Sequence, residues 1–165
     1  MKYILIIFSF ILVSDTYSQS DTIQPLYKRF PTFPPVKLLL PDSVSYFTKN
    51  DLKKKSAVML MVFSPTCEHC QHETEEIIKN IDQFKGIQII MATMMPFDSM
   101  MSFRKRYQLS HFDNIIMGQD MQFFLPSFYM MHNLPFLAFY NRKKELISVF
   151  EGSMPVEKAL EELKK

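Results

Sequence analysis

Apolar positions along this chain fall into short blocks of two kinds, continuous runs and helical stripes. Residues 57–63, Ala-Val-Met-Leu-Met-Val-Phe, form an unbroken apolar run of strand length, the pattern of a strand buried on both faces. Ser64-Pro65-Thr66 ends it. Further on, Cys70, Thr74, Ile77, Ile78, Ile81 and Phe84 recur at spacings of three and four, which is one face of a helix. Glu68, Glu73, Glu75 and Glu76 fill its first turns, where acidic groups suit the helix dipole. Lys85-Gly86 closes it, with Gly near the position that follows a helix end. Residues 87–92 read as a second strand, 98–107 as a helix and 115–117 as a short strand, with Asp120 placed to cap another helical segment. Residues 135–140 and 146–150 then form a hairpin around a basic turn at Asn141 to Lys144. Gly152 breaks that run, and Pro155 opens a last helix through Val156, Ala159, Leu160 and Leu163. The stretch 123–140 is apolar enough to raise a membrane helix, but Pro126, Ser127, His132, Asn133 and Pro135 interrupt it and would need partners in lipid. The span is rejected.

Before this, Val36 to Leu40 and Val44 to Phe47 flank Pro41-Asp42-Ser43 and predict two short strands around a turn. Residues 21–35 are polar and then proline-studded, a linker and an extended approach to the first strand. Lys53-Lys54-Lys55 reads as a solvated turn, with a partner-docking patch as the alternative. The predicted order is one mixed sheet with helices on both faces, an α/β domain without internal repeats. At the very start, Lys2 precedes an apolar run from Tyr3 to Val13 and a polar, small-residue exit. A basic start, ~7–15 apolar residues and small residues at the exit describe a secretory signal peptide. Cleavage is expected after Ser18, with Ser20 as second choice. An uncleaved anchor is the alternative, although a span needs ~20 residues. No Cys follows the run to carry a lipid. The expected division is a signal peptide over 1–18, a linker over 19–30 and one domain over 31–165, exported to the periplasm or another extracytoplasmic compartment.

Composition narrows the function. The 165 residues fit one domain, and 47% hydrophobic against 22% charged residues excludes long disorder. Sixteen Phe and thirteen Met with no Trp describe a soft, aromatic core. A net charge of +2 is too small to argue for nucleic acid. Two Cys exclude a disulfide-rich scaffold and a four-cysteine zinc site. Outside the cytoplasm the pair Cys67 and Cys70 is free to oxidise, as a fixed bridge or a working couple. A bridge closing so short a ring constrains the unfolded chain weakly, which favours a chemical use.

The nucleophile of disulfide exchange is a thiolate, so such a site must make a thiol ionise below ~8.5. Cys67 stands at the strand-to-helix junction, where unpaired N–H groups and the positive end of the dipole favour a charged sulfur. Cys70 follows about one turn later, within the ~4.4–6.8 Å Cα separation that a disulfide tolerates. Cys67 is therefore the expected attacker and Cys70 the shielded resolving thiol. Glu68 and His69 between them tune the couple in opposite senses, the acid against a thiolate and a protonated imidazole for it. Glu73, three residues after Cys70, is the expected proton-exchanging acid. No acid occurs in 57–63, and Met61 occupies the place where one would lie beneath the pair.

Val62-Phe63-Ser64-Pro65-Thr66-Cys67-Glu68-His69-Cys70, between a buried strand and an amphipathic helix, resembles the active-site segment of the thioredoxin-like superfamily. Within it the chain is similar to the exported TlpA/ResA-like thiol-disulfide oxidoreductases (redoxin domain) over about residues 31–165, with only the motif regions specific. The resemblance implies a three-layer thioredoxin-like fold whose N-terminal β-hairpin is Phe33 to Lys55. It implies a functional acid at Glu73, a cis-proline facing the redox pair at Leu134-Pro135, and a glycine after the last strand at Gly152. Thioredoxin itself has Trp before its first Cys, Gly-Pro between the two and a buried Asp beneath, where this chain has Thr66, Glu68-His69 and Met61. His69 is shared with periplasmic dithiol oxidases of the Cys-Pro-His-Cys type. The residues 141–144 lack the usual turn Gly.

The expected function is thiol–disulfide exchange with protein substrates and an upstream redox donor, as a monomer without cofactor or bound metal, with reduction placed ahead of oxidation. Three rivals stand beside it. A peroxidase of the peroxiredoxin type would use Ser64 three before Cys67, but Leu60 takes that motif's proline position. A Cu(I) carrier would draw on Cys67, Cys70, His69, His72 and His132, soft and borderline ligands, although His72 points away from Cys67 on a helix. A binding module would hold the pair as an inert clip.

Overall fold

The computed structural model describes residues 24–165; the expected signal segment over 1–18 and the start of the linker lie outside them. Strands β1 (Leu38–Leu39), β2 (Tyr46–Phe47), β3 (Ala57–Val62), β4 (Ile87–Thr93), β5 (Ile115–Gln119), β6 (Phe136–Tyr140) and β7 (Leu146–Glu151) form one sheet of order β2-β1-β5-β4-β3-β6-β7. β3, β4 and β5 run parallel, whereas β6 lies antiparallel to β3, β7 to β6 and β1 to β5. The α-helices of the described residues are α1 (Leu26–Arg29), α2 (Glu68–Lys79), α3 (Phe97–Arg106), α4 (Phe124–Tyr129) and α5 (Val156–Glu162), with short 3-10 turns at Lys49–Asp51, Ile81–Phe84 and Leu109–His111.

The unbroken apolar run of β3 has a direct cause. Its six residues are all buried, and alternate side chains enter different cores because successive residues of a strand face opposite ways. Met59 and Met61, with Phe63 beyond the strand end, join Ile77 of α2, Met100 and Phe103 of α3 and Val156 and Ala159 of α5. Val58, Leu60 and Val62 join Leu125, Phe128 and Tyr129 of α4 and the N-terminal residues Phe33, Val36, Leu38 and Phe47. Helices therefore cover both faces of a mixed sheet, as expected. Phe63 and Phe103 rings lie 4.7 Å apart and Phe103 and Tyr107 rings 4.5 Å apart. Each such pair contributes about 0.5–1.5 kcal/mol beyond its buried area, and the first holds α3 against the end of β3.

Local expectations are met with small shifts. α2 ends at Lys79, and a 3-10 turn carries the apolar stripe on to Phe84 before Gly86 turns at φ 81°. Asp120 accepts a hydrogen bond from Leu125 N at 2.8 Å and so holds the start of α4. The apolar stretch 123–140 resolves into α4, a loop and β6, and no described helix is long and apolar enough to cross a membrane. Two findings differ from expectation. The last residues of the expected linker include α1, whose Tyr27 ring lies 5.6 Å from that of Tyr129. The turn without Gly places Lys144 at φ 68°, with its ammonium donating to the carbonyls of Lys53 and Ser56, and those bonds offset the strain of a left-handed residue with a Cβ.

β1 rests on β5 through a close approach at Gly118, where a Cβ would stand 2.7 Å from Leu38 Cβ and 3.1 Å from Leu39 O. Gly118→Ala is expected to push the N-terminal hairpin off the sheet edge and to destabilise the chain by about 1–3 kcal/mol, read as a lower urea midpoint. An unchanged midpoint would show that β1 is not seated on β5.

Candidate active site

The site lies at one end of the sheet, where β3 and β7 end and β6 begins. β3 delivers Ser64-Pro65-Thr66 to the start of α2, and Gln71 Nε2 donates to Pro65 O at 2.9 Å, bracing this turn. Cys67 is the N-cap of α2 in extended conformation, and its Sγ accepts from Cys70 N at 3.3 Å. A helix N-terminus offers free N–H groups to an anion, and here one of them points at the sulfur. Cys67 is partly exposed, while Cys70 is fully buried among Met61, Phe63 and Leu137 in the same core. Burial, reinforced by the hydrogen bond to Cys67 and by the nearby charge of Glu73, pushes the Cys70 thiol far above its ordinary range. The two sulfurs thus occupy opposite environments, one at solvent and one sealed.

The peptide bond Leu134–Pro135 is cis. Pro135 is buried, Leu134 is half-buried, and Leu134 O lies 3.8 Å from Cys67 Sγ. Glu73 is 2% exposed, and Met154 N donates to its Oε2 at 2.9 Å. Burial raises its pKa from 4.5 to about 6 against the opposing pull of that hydrogen bond. Met61 is buried beneath, with Met91 and Leu137 as its strand neighbours. The buried acid of this site therefore comes from the helix rather than from the strand.

The other candidates are less involved. Glu68 and His69 are exposed, and only the His69 carbonyl is held, by Ser153 Oγ at 3.1 Å. His72 and His132 are exposed, and among the described residues no three His, Cys, Asp or Glu side chains converge as a metal site. Sequence reasoning missed Glu151, Ser153 and Met154. Glu151 accepts from His132 N at 3.1 Å and Asn133 N at 2.9 Å, and Gly152 N donates to Pro135 O at 2.7 Å. Only Gly152 signalled this segment in the sequence.

A scan of family models and a search of the curated proteins return no match. Solved structures do match. A secreted Mycobacterium tuberculosis disulfide oxidoreductase, described as homologous to E. coli DsbE, superposes with a TM-score of 0.64 at 14% identity, covering 78% of this chain and 93% of that one. StoA from Bacillus subtilis gives 0.61 at 17%, covering 80% and 98%. MTB DsbF, solved in mixed oxidized and reduced forms, gives 0.66 at 14%, covering 79% and 93%. The fold is thioredoxin-like. At these identities the likeness establishes the architecture, and the thioredoxin-like reading of the sequence stands for the fold, with the extra hairpin β1–β2 at the sheet edge.

Burial of Glu73 has a measurable consequence. The unfolded carboxyl ionises near 4.5 and the folded one near 6, so the native state holds its proton more tightly. Its stabilising contribution is complete below 4.5 and is lost as pH rises through 6, a change of about 2 kcal/mol. Glu73→Gln keeps an acceptor for Met154 N and is expected to remove this loss, so that the variant gains up to about 2 kcal/mol over wild type at pH 7.5 and little at pH 4. Urea melts at the two pH values check it; parallel shifts at both would contradict the burial.

Proposed function

We propose that the chain is an exported protein disulfide oxidoreductase that uses Cys67 and Cys70 as its redox pair and acts chiefly as a reductase. The observation that carries this reading is the asymmetry of the two sulfurs, Cys67 at the helix mouth receiving the Cys70 amide and Cys70 sealed in the core. The Cys67 thiolate attacks one sulfur of a substrate disulfide, forming a mixed disulfide and expelling the other sulfur as a thiolate that takes up a proton. Cys70 then loses its proton and attacks Cys67 Sγ, which releases the second substrate thiol and leaves a Cys67–Cys70 disulfide. Two electrons pass to the substrate, and an upstream dithiol returns them. Glu73, buried one turn beyond Cys70 with its pKa near 6, is the group suited to accept the Cys70 proton, since a base works best with a pKa close to the working pH.

Direction follows from what is stabilised. A strong oxidant owes its potential to a stabilised reduced form, its thiolate above all. Here a buried Cys70, the carboxyl of Glu73 and the acid at Glu68 oppose such stabilisation, while the helix mouth and His69 act for it, and the reading places reduction first. The signal-like N-terminus and the secreted structural neighbour named above support an extracytoplasmic location; the reading takes protein disulfides as substrates and the chain as a monomer working without a cofactor.

Trapping tests the assignment. Cys70→Ser is expected to accumulate mixed disulfides with protein substrates and Cys67→Ser none, seen as dithiothreitol-sensitive bands; equal trapping by both would remove it. In the reduced wild type, iodoacetamide should modify Cys67 at least about tenfold faster than Cys70. Glu73→Gln is expected to slow release of the mixed disulfide by about 10²-fold in stopped-flow, with the first attack little changed. A midpoint potential nearer to about −270 mV than to about −120 mV fits a reductase, and the reverse would assign oxidation.

A further inference from the structure

Four consecutive residues at the end of β7 each reach a different part of the site. Glu151 Oε1 accepts from His132 N at 3.1 Å, and its Oε2 accepts from Asn133 N at 2.9 Å and Asn133 Nδ2 at 3.0 Å. Gly152 N donates to Pro135 O at 2.7 Å. Ser153 Oγ donates to the His69 carbonyl at 3.1 Å, inside the Cys-x-x-Cys turn, and Met154 N donates to Glu73 Oε2 at 2.9 Å. Residues 132–135 form the loop whose Leu134 carbonyl lies 3.8 Å from Cys67 Sγ. A disulfide that approaches the partly exposed Cys67 must pass this carbonyl, so the loop's position decides how a polypeptide presents its sulfur.

We propose that Glu151 is a positioning residue for protein substrates: its carboxylate holds the 132–135 loop beside Cys67, and residues 151–154 strap that loop to the helix carrying the redox pair. The inference rests on the thiol–disulfide reading above. The chemistry demands an anion at this place. Two adjacent backbone N–H groups converge on one side chain, and among the described residues these amides donate to Glu151 alone. Only a carboxylate offers both oxygens as acceptors, and charged acceptors make the shorter, stronger bonds. The carboxyl is held below its ordinary range: partial burial opposes the charge, but the hydrogen bonds from His132 and Asn133 outweigh it. The exposed His132 ring lies alongside, with Nδ1 3.6 Å from Glu151 Oε1.

Glu151→Gln preserves size but turns an NH₂ toward one of the two amides. Reduction of insulin by the full chain, with dithiothreitol as donor, is expected to show a KM about tenfold higher, the equivalent of one lost charged hydrogen bond. The expected kcat stays within about twofold, because Cys67, Cys70 and Glu73 are untouched. Alkylation of Cys67 by iodoacetamide, a reagent too small to need the loop, should keep its wild-type rate. Amide hydrogen exchange at His132 and Asn133, followed by NMR, should quicken about tenfold. Glu151→Asp keeps the charge on an arm one carbon shorter and is expected to fall between wild type and Gln in both readouts; it supplies the measurement if the Gln variant melts early. An unchanged KM, or amides that exchange as in wild type, overturns the proposal. A wild-type chain that fails to reduce insulin overturns the thiol–disulfide reading and the substrate role with it, while the exchange rates still report whether Glu151 holds the loop.

Discussion

The whole arrangement depends on the double burial of β3. Its side chains from Val58 to Val62 alternate between two cores, so the strand can neither slip by one residue nor twist without exchanging one apolar set for the other. A strand so fixed delivers its C-terminal end, and the turn that follows it, to one place. The turn 64–66 starts α2, and Cys67 therefore stands at a helix mouth whose position is set by packing on both sides of the sheet. The position of Cys67 is thus fixed by rigid elements rather than by the turn that carries it.

From that position the two sulfurs diverge in character over a single turn of helix. Cys67 faces solvent and one backbone N–H, whereas Cys70 lies in the core with Met59, Met61, Met91 and Met100 in the same cluster. Thioether side chains adapt their shape and are polarizable, so this cluster packs closely around a buried sulfur. The place that a strand acid takes in thioredoxin belongs to Met61, and the acid buried in this neighbourhood is Glu73, on the helix. The same low-dielectric effect that lifts Glu73 toward neutrality also penalises a second charge on Cys70. Burial therefore dominates both protonation equilibria.

A second set of constraints is built from hydrogen bonds at the sheet edge. β7 is an edge strand with partly exposed residues, and on packing alone it would be the least fixed strand near the site. Its end is instead bound to both the loop 132–135 and α2 by consecutive polar contacts. Lys144 does comparable work at the opposite end of the same hairpin, where its ammonium joins the turn to Lys53 and Ser56.

Local pattern was sufficient for β3, α2, the β6–β7 hairpin and the placing of Cys67 before Cys70, because each follows from periodicity or spacing within a few residues. Leu134-Pro135 was found through its resemblance to a known motif rather than from any local signal. α1 was read as linker because four residues carry too little periodicity to declare a helix, and its packing partner Tyr129 lies about a hundred residues away in the chain. Glu73 was visible as a candidate acid, but its hydrogen-bond donor Met154 N lies 81 residues further along the chain, and Glu151 and Ser153 look like ordinary surface residues at the end of a strand. The chain's own order of residues decided which elements form and which sulfur sits at a helix start. Which polar groups are sealed, shared or bound across the site was decided only when the sheet brought β7 beside β6 and the residues after β7 reached α2, since desolvation and hydrogen bonding act between residues that sequence keeps far apart.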